Sequence, residues 1–251
     1  MLTQQRKQHI LELLKKEGRV VAKVLAHELE LSEDTIRRDL RELAKEGLLQ
    51  RVHGGALPAS AAVADFATRQ GIATDGKLAI ARVAAKMVQA GQIILLDGGT
   101  TTVQLARHLP KTLTATVVTH SPSIAIELVN HPNIEVILIG GKLFKHSVVT
   151  VGAAALEALS HIRADTYFMG VTGVHPEAGL STGDLEEAHM KKALSQHAAE
   201  TVVLASREKL GVASAYVIMP ITQVSALVVE RNTLREVIEP FENLGVGVTR
   251  A

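Results

Sequence analysis

The sequence predicts two unlike domains in series: a small α+β unit, then a larger α/β domain with a mostly parallel sheet. Three observations predict it. Residues 1–57 carry 11 Lys and Arg and 9 Asp and Glu, whereas the remaining 194 residues carry only 16 and 17. Those first 57 residues show helical spacing of apolar side chains closed off by glycines. From residue 76 onward, short continuous apolar runs alternate with amphipathic helical stretches, as expected of strands buried on both faces between helices. The expected division is 1–57, a linker over 58–75, and 76–251.

The elements follow in order. Residues 3–17 form a helix with Ile10, Leu13 and Leu14 on its apolar side and Gly18 as its stop. A short helix near Ala22–Glu30 buries Val24, Leu25 and Leu29, and Leu31 and Ser32 make the turn. Ser32 is a good N-cap, with Glu33 and Asp34 in the first turn where the helix dipole favours acids. The third helix runs to about Glu46 and stops at Gly47. Ile36, Leu40 and Leu43 form its inner face; Arg38, Arg41 and Lys45 form the opposite stripe, with Arg37 beside it. Leu48, Leu49 and Val52 frame a hairpin with Arg51, His53, Gly54 and Gly55 near its tip. Leu57 to Asp65 is a small-residue stretch, uncharged until its end, and reads as a linker.

The larger domain reads as a helix over 76–90, a strand over 92–96, the turn Asp97-Gly98-Gly99-Thr100-Thr101-Thr102, and a helix ended by Pro110. Strand 115–119, helix 122–130 and strand 134–139 lead to Gly140-Gly141. Helix 153–160, strand 165–170, helix 184–198 and strand 201–205 follow, with late strands near 216–218 and 227–229.

Composition excludes several classes. With 47% hydrophobic and 21% charged residues the chain has a proper core to bury. A net charge of +1 gives no global basic field, so any contact with nucleic acid or membrane uses a local patch. No cysteine means no disulfide, thiolate metal site or cysteine nucleophile, and fits a reducing cytosol. Four Phe, two Tyr and no Trp argue against stacking platforms for single strands. Apolar runs are too short to span a bilayer, and MLTQQRKQHI lacks a signal-peptide core. A cytoplasmic protein is expected.

A helix–turn–helix lays its last helix in the DNA major groove. Arg37, Arg38 and Arg41 offer forks for guanine edges or phosphates; Thr35 lies near the helix start, where base edges are reached. Lys45, Arg51 and His53 would hold the backbone or minor groove. Ordinary solvated ion pairs, such as Arg37 with Glu33, remain the plain alternative. In the larger domain, a strand–DGGTTT–helix turn offers glycines for close approach and helix N-terminal N–H groups for an anion; a tight turn alone would also want those glycines. Three further stations lie at strand ends, where open α/β sheets bind ligands: His120 and Ser121 after Thr119, Gly141 after Gly140, and Thr172-Gly173. Glu187 and Lys191 form either a surface i, i+4 pair or a pocket pair that presents Lys191 to a phosphate or carboxylate. Lys209 is a second candidate cation. No H-x-x-x-H pair is present, so no metal is assigned, and without a Walker A or G-x-G-x-x-G motif no nucleotide cofactor is.

Ser32-Glu33-Asp34-Thr35-Ile36-Arg37-Arg38-Asp39-Leu40, with Leu43, Glu46-Gly47-Leu48-Leu49 and Arg51-Val52-His53-Gly54-Gly55-Ala56, resembles the DNA-binding signature of DeoR-family bacterial transcriptional regulators. Asp65-Phe66 to Arg69, Lys77 with Ile80-Ala81, Leu96 to Thr101, Val118 to Ser121, Gly140-Gly141, Val151-Gly152, Asp165, Gly170, Gly179-Leu180, Glu187 and Lys191 resemble that family's sensor domain. The resemblance implies a winged helix–turn–helix presenting Thr35, Arg37 and Arg38, with Asp39 paired to a neighbouring arginine. It also implies a ribose phosphate isomerase-like sensor domain that binds a phosphorylated sugar or related metabolite. Asp97 to Thr102 would then cradle the ligand beside Lys191, and Asp97→Ala would give a repressor deaf to inducer. The chain departs from the family pattern at His120 (usually Asn), Ser206 and Glu230 (usually Asp). The competing reading is a sugar phosphate isomerase. The similar isomerases carry acids just after the glycine matching Gly170, where this chain has Val171-Thr172-Gly173. The expected function is a repressor of a carbohydrate operon, with double-stranded operator DNA, a sugar-phosphate inducer and a second copy of the chain (dimer or tetramer) as partners, and no cofactor.

Overall fold

A computed structural model describes residues 2–251. The first domain holds α1 (Thr3–Glu17), β1 (Val20–Val21), α2 (Ala22–Glu28), α3 (Glu33–Lys45), β2 (Leu49–Val52) and β3 (Gly55–Pro58). Ser32 caps α3 by accepting the Thr35 N–H at 3.2 Å, a contact worth about 1 kcal/mol. Ile10 and Leu14 of α1, Leu25 of α2, Ile36, Leu40 and Leu43 of α3 and Leu49 of the hairpin share one core. Val24 does not join it: it is 52% exposed, and Ala22 and Ala26 take the inner face of α2 with Leu25. The hairpin gains a third strand, because β1 pairs antiparallel with β3.

The segment expected as a linker is built. It carries a 3-10 turn (Ala61–Val63) and α4 (Phe66–Gln70), which Asp65 caps by accepting the Thr68 N–H at 2.8 Å. The larger domain continues with α5 (Thr74–Met87), β4 (Ile93–Leu96), α6 (Thr100–His108), β5 (Ala115–Thr119), α7 (Pro122–Leu128), β6 (Ile134–Leu138), β7 (Lys142–Phe144), β8 (Val149–Val151) and α8 (Ala153–Leu159). There follow β9 (Ala164–Gly170), β10 (Gly173–His175), β11 (Gly179–Thr182), α9 (Leu185–Gln196), β12 (Ala198–Leu204), β13 (Tyr216–Met219), β14 (Ala226–Val229), α10 (Arg235–Glu242) and β15 (Gly247–Arg250).

Seven strands form one parallel sheet in the order β15-β14-β12-β9-β4-β5-β6. Alternate residues point to opposite faces. Leu95, Val118, Met169 and Val203 pack with α8, α9 and α10; Ile94, Leu96, Val117, Phe168 and Leu204 pack with α5, α6 and α7. Both faces are therefore buried, as the continuous apolar runs predict. Strand β13, expected among the late strands, lies outside this sheet and pairs antiparallel with β11 in a three-stranded sheet. The chain runs from β4 toward β5 and β6 on one side and returns through β9 to β12 on the other. A crevice thus opens past the C-terminal ends of β4 and β9, where such sheets hold ligands.

Candidate functional site

Two sets of side chains stand out, one in each domain. On α3 and the hairpin, Ser32, Arg37, Arg38, Arg41, Lys45, Arg51 and His53 are exposed and Thr35 is half-buried. Arg37 meets Glu33 at 2.7 Å, an exposed pair worth about 0.3–0.5 kcal/mol. Thr35 shares a 2.9 Å hydroxyl contact with Ser32. Among the described residues, Arg38, Arg41, Lys45 and Arg51 make no ion pair. Behind this face, Asp39 is fully buried and takes both Nε and Nη2 of Arg6. The partner of Asp39 is thus on α1, far away in sequence, and it locks α3 against that helix.

In the larger domain the site starts at the turn after β4. A Cβ on Gly98 would run into Val149, and Gly99 has φ 143°, so only glycine suits either position. The turn feeds α6, whose first N–H to close onto the preceding turn is that of Val103, at 3.0 Å from the Gly99 carbonyl. The N–H groups of Thr100 to Thr102 are left to face an anion.

Asp97 lies beneath the turn with no exposure. Its Oδ2 accepts from Lys191 Nζ and, at 2.8 Å, from the Gly170 N–H; its Oδ1 lies 2.9 Å from His120 Nε2. Burial alone would raise the Asp97 carboxyl, but Lys191 and His120 outweigh it and hold the group below the usual range. Burial likewise opposes the charge on Lys191, and Asp97 and Glu187 overcome it and raise its pKa. The Glu187–Lys191 pair, 3.3 Å apart, is a buried pair and not a surface one.

The cavity above is lined by Gly98 to Thr102, Gly170 to Thr172, Thr182, Glu187, Lys191, Glu208 and Lys209, with Ala62, Arg69 and Ile72 from the segment 58–75 and Lys77 from α5. Burial drops the Lys209 amine to about 8 and lowers Lys77 and Arg69 as well. Four cations thus face two carboxylates, and burial disfavours the charge on three of those cations, a cost that a bound anion would offset.

Of the residues expected here, Gly98, Gly99, Thr100, Thr101, Thr102, Thr172, Lys191 and Lys209 line the cavity. Five do not. Asp97 sits behind Lys191, and His120 sits behind Asp97 with its Nδ1 on the Thr150 carbonyl at 2.9 Å. Ser121 precedes α7 and donates to the Val148 carbonyl at 3.2 Å. Gly141 is exposed, and a Cβ there would meet the Val151 carbonyl and Ala155 at 3.0 and 3.1 Å. Gly173 leaves room for Ser181 and the Val212 carbonyl. These two glycines serve close backbone packing, which has the same sequence signature as ligand approach. Asp165 lies at the far end of the sheet, where it accepts the Ile93 N–H at 2.8 Å.

Arg69, Lys77, Thr182 and Glu208 are wall residues that the pattern of strand-end stations missed. Arg69 comes from the segment read as a tether. Glu208 follows Ser206, which stands where the family usually has aspartate; the Ser206 hydroxyl donates to Glu208 Oε1 at 2.6 Å. Two contacts tie the cavity to the wing. The Ser60 hydroxyl donates to the Thr172 carbonyl, and Ala59 bridges to Ala213 beside Ser214, whose hydroxyl lies 2.7 Å from that of Thr172.

A helix–turn–helix with a hairpin wing, joined to an α/β domain whose cavity suits an anion, defines a DNA-binding regulator with a ligand-sensing domain. The comparisons agree. Residues 6–61 match the DeoR-like helix-turn-helix domain and residues 72–231 the DeoR C terminal sensor domain. The chain is 36% identical to the HTH-type transcriptional regulator GlpR of Haloferax volcanii, over 99% of this chain and 98% of that one. It is 30% identical to the transcriptional repressor GlcR of Bacillus subtilis, over 92% and 90% of the two chains. With the glycerol-3-phosphate regulon repressor of Escherichia coli it shares 32% identity over 82% of each. Ribose 5-phosphate isomerase A of Methanocaldococcus jannaschii aligns with 54% of each chain at 22% identity and a TM-score of 0.41. The chain belongs to the DeoR family of transcriptional regulators.

Proposed function

We propose that the protein is a repressor of a carbohydrate operon, of the type found in bacteria, and that a phosphorylated sugar or related metabolite releases it from operator DNA. In this reading residues 1–57 hold DNA, residues 76–251 hold the ligand, and 58–75 link the two. Arg38, Arg41, Lys45 and Arg51 contact DNA, with Ser32, Thr35, Arg37 and His53 beside them. The helix α6 N-terminus with Arg69, Lys77, Lys191 and Lys209 takes the phosphate. Similarity to the repressors of Bacillus subtilis and Escherichia coli supports the assignment.

One observation carries the mechanism: the segment leading to the wing is itself a wall of the cavity. Ala62, Arg69 and Ile72 line it, and Ser60 bonds its rim. A sugar phosphate seated there meets this wall, and residues 58–75 lie outside the seven-stranded sheet. Moving them moves the wing, so ligand and operator favour different arrangements and each weakens the other.

Helix–turn–helix proteins read paired half-sites as dimers, and exposed Ile126 of α7 and Val129 just after it, with Ile137 and Leu138 of the edge strand β6, support self-association. No helix among the described residues is long and apolar enough to cross a membrane, which supports a cytoplasmic site of action. The isomerase reading lacks an acid at Val171-Thr172-Gly173, and Glu187 is fully engaged by Ser147, Thr182 and Lys191. Fluorescence anisotropy of DNA from upstream of the protein's own gene, at fixed salt, tests the reading. One sugar phosphate should release the DNA while its free sugar does not. Tight DNA binding untouched by every phosphate would discard the sensor half.

A further inference from the structure

Among the described residues, three polar atoms of the cavity-wall side chains are buried without a hydrogen-bond partner: Arg69 Nε, Thr101 Oγ1 and Glu208 Oε2. Buried polar groups are ordinarily paired, so unpaired ones grouped on one cavity mark where a ligand's own groups belong. The three are chemically unlike. Arg69 Nε is a donor, and Thr101 carries its hydroxyl in the first turn of α6; both suit an anion. Glu208 is a carboxylate and, when ionised, can only accept. Its Oε1 is already satisfied by Ser206, which fixes the carboxylate and leaves Oε2 open. The other wall carboxylate, Glu187, has Ser147, Thr182 and Lys191 as partners. Glu208 is also near enough to Lys77 and Lys209 to act on the charge of both. The cavity therefore combines an anion seat with a fixed negative charge a short distance from it.

We infer that Glu208 selects the body of the ligand: it accepts a hydroxyl from a phosphate monoester whose remaining skeleton is neutral, and it rejects phosphates that bring a second anion to that place. The inference rests on the sugar-phosphate reading above and names the group that narrows it. Discrimination arises from repulsion as much as attraction, because a like charge set against Glu208 would be desolvated with no partner.

Two ligand pairs differ in this feature: glucose 6-phosphate against 6-phosphogluconate, and glycerol 3-phosphate against 3-phosphoglycerate. Calorimetric titration of the full-length protein should find at least one hydroxyl-bodied phosphate binding about tenfold or more tightly than its carboxylate counterpart. In Glu208→Gln that ratio should fall to about threefold or less, chiefly because the acid binds better. Glu208→Asp, which keeps the charge, should retain the preference, and Ser206→Ala, which frees the carboxylate to turn away, should weaken it. An unchanged ratio in both Glu208→Gln and Ser206→Ala, or a wild-type preference for the acids, overturns the assignment of Glu208 alone. If none of the four phosphates binds a protein that holds operator DNA, the sugar-phosphate reading itself falls, and this inference with it.

Discussion

In the first domain the side chains assigned to function, Arg38, Arg41 and Arg51, stand in solvent and, among the described residues, make no ion pair; in the second, Lys191, Lys209 and Glu187 are buried and most are tied to one another. Yet each domain also keeps one fully buried carboxylate, Asp39 or Asp97, locked to a buried cation. The difference is one of use. Asp39 turns inward so that the outer face of α3 is free to meet a polyanion. Asp97 instead holds Lys191 at the floor of a cavity. In the proposed reading, one domain sets its charges on a surface for a large partner, and the other in an interior for a small one.

The largest expected effects come from breaking the two locks. Removing one member of a buried pair strands the other, at about 3–5 kcal/mol. Asp39→Ala and Asp97→Ala should each lower stability by that order in denaturant melts. Asp97→Ala, expected from the sequence to be deaf to inducer, should therefore also be less stable. A cost well under about 1 kcal/mol would show that neither lock matters. Next comes Arg38→Ala, which should lose about 1–3 kcal/mol of operator affinity while melting unchanged; equal operator affinity would move the reading face elsewhere.

A smaller effect follows from Lys209, whose amine burial lowers to about 8. A bound anion raises that value, so the lysine's contribution to ligand affinity is complete below pH 8 and is lost as pH rises through the bound-state value. Ligand affinity should weaken above pH 8, and Lys209→Met should flatten the profile; a flat wild-type profile would place the anion away from Lys209. The smallest effect is on Arg37→Ala, whose exposed pair with Glu33 should cost no more than about 0.5 kcal/mol of stability.

Legibility in the sequence follows the same division. The arginine stripe, the Ser32 cap and the Gly47 stop are local features, readable within one helix turn or two. The parallel sheet was readable too, because doubly buried strands are continuous apolar runs. The sensor site was readable only in part. Gly98 to Thr102 announce themselves as a turn after a strand, whereas Arg69 and Glu208 come from a short helix and a 3-10 turn whose positions depend on tertiary packing. Gly141 and Gly173 show the converse problem, since a glycine required by a neighbouring backbone looks the same in sequence as one required by a ligand. The short strands β7, β8, β10 and β11 lack enough residues for a period to show, and Pro240 inside α10 hides that helix.

We propose that the segment 58–75 makes the cavity and the wing one coupled system. Coupling of this kind is reciprocal. The most direct measurement is the dissociation constant of the releasing sugar phosphate, determined by calorimetry with and without saturating operator DNA. Operator should weaken the sugar phosphate by about 5–150-fold, and the sugar phosphate should weaken operator by the same factor. A ligand affinity unchanged by operator would contradict the coupling.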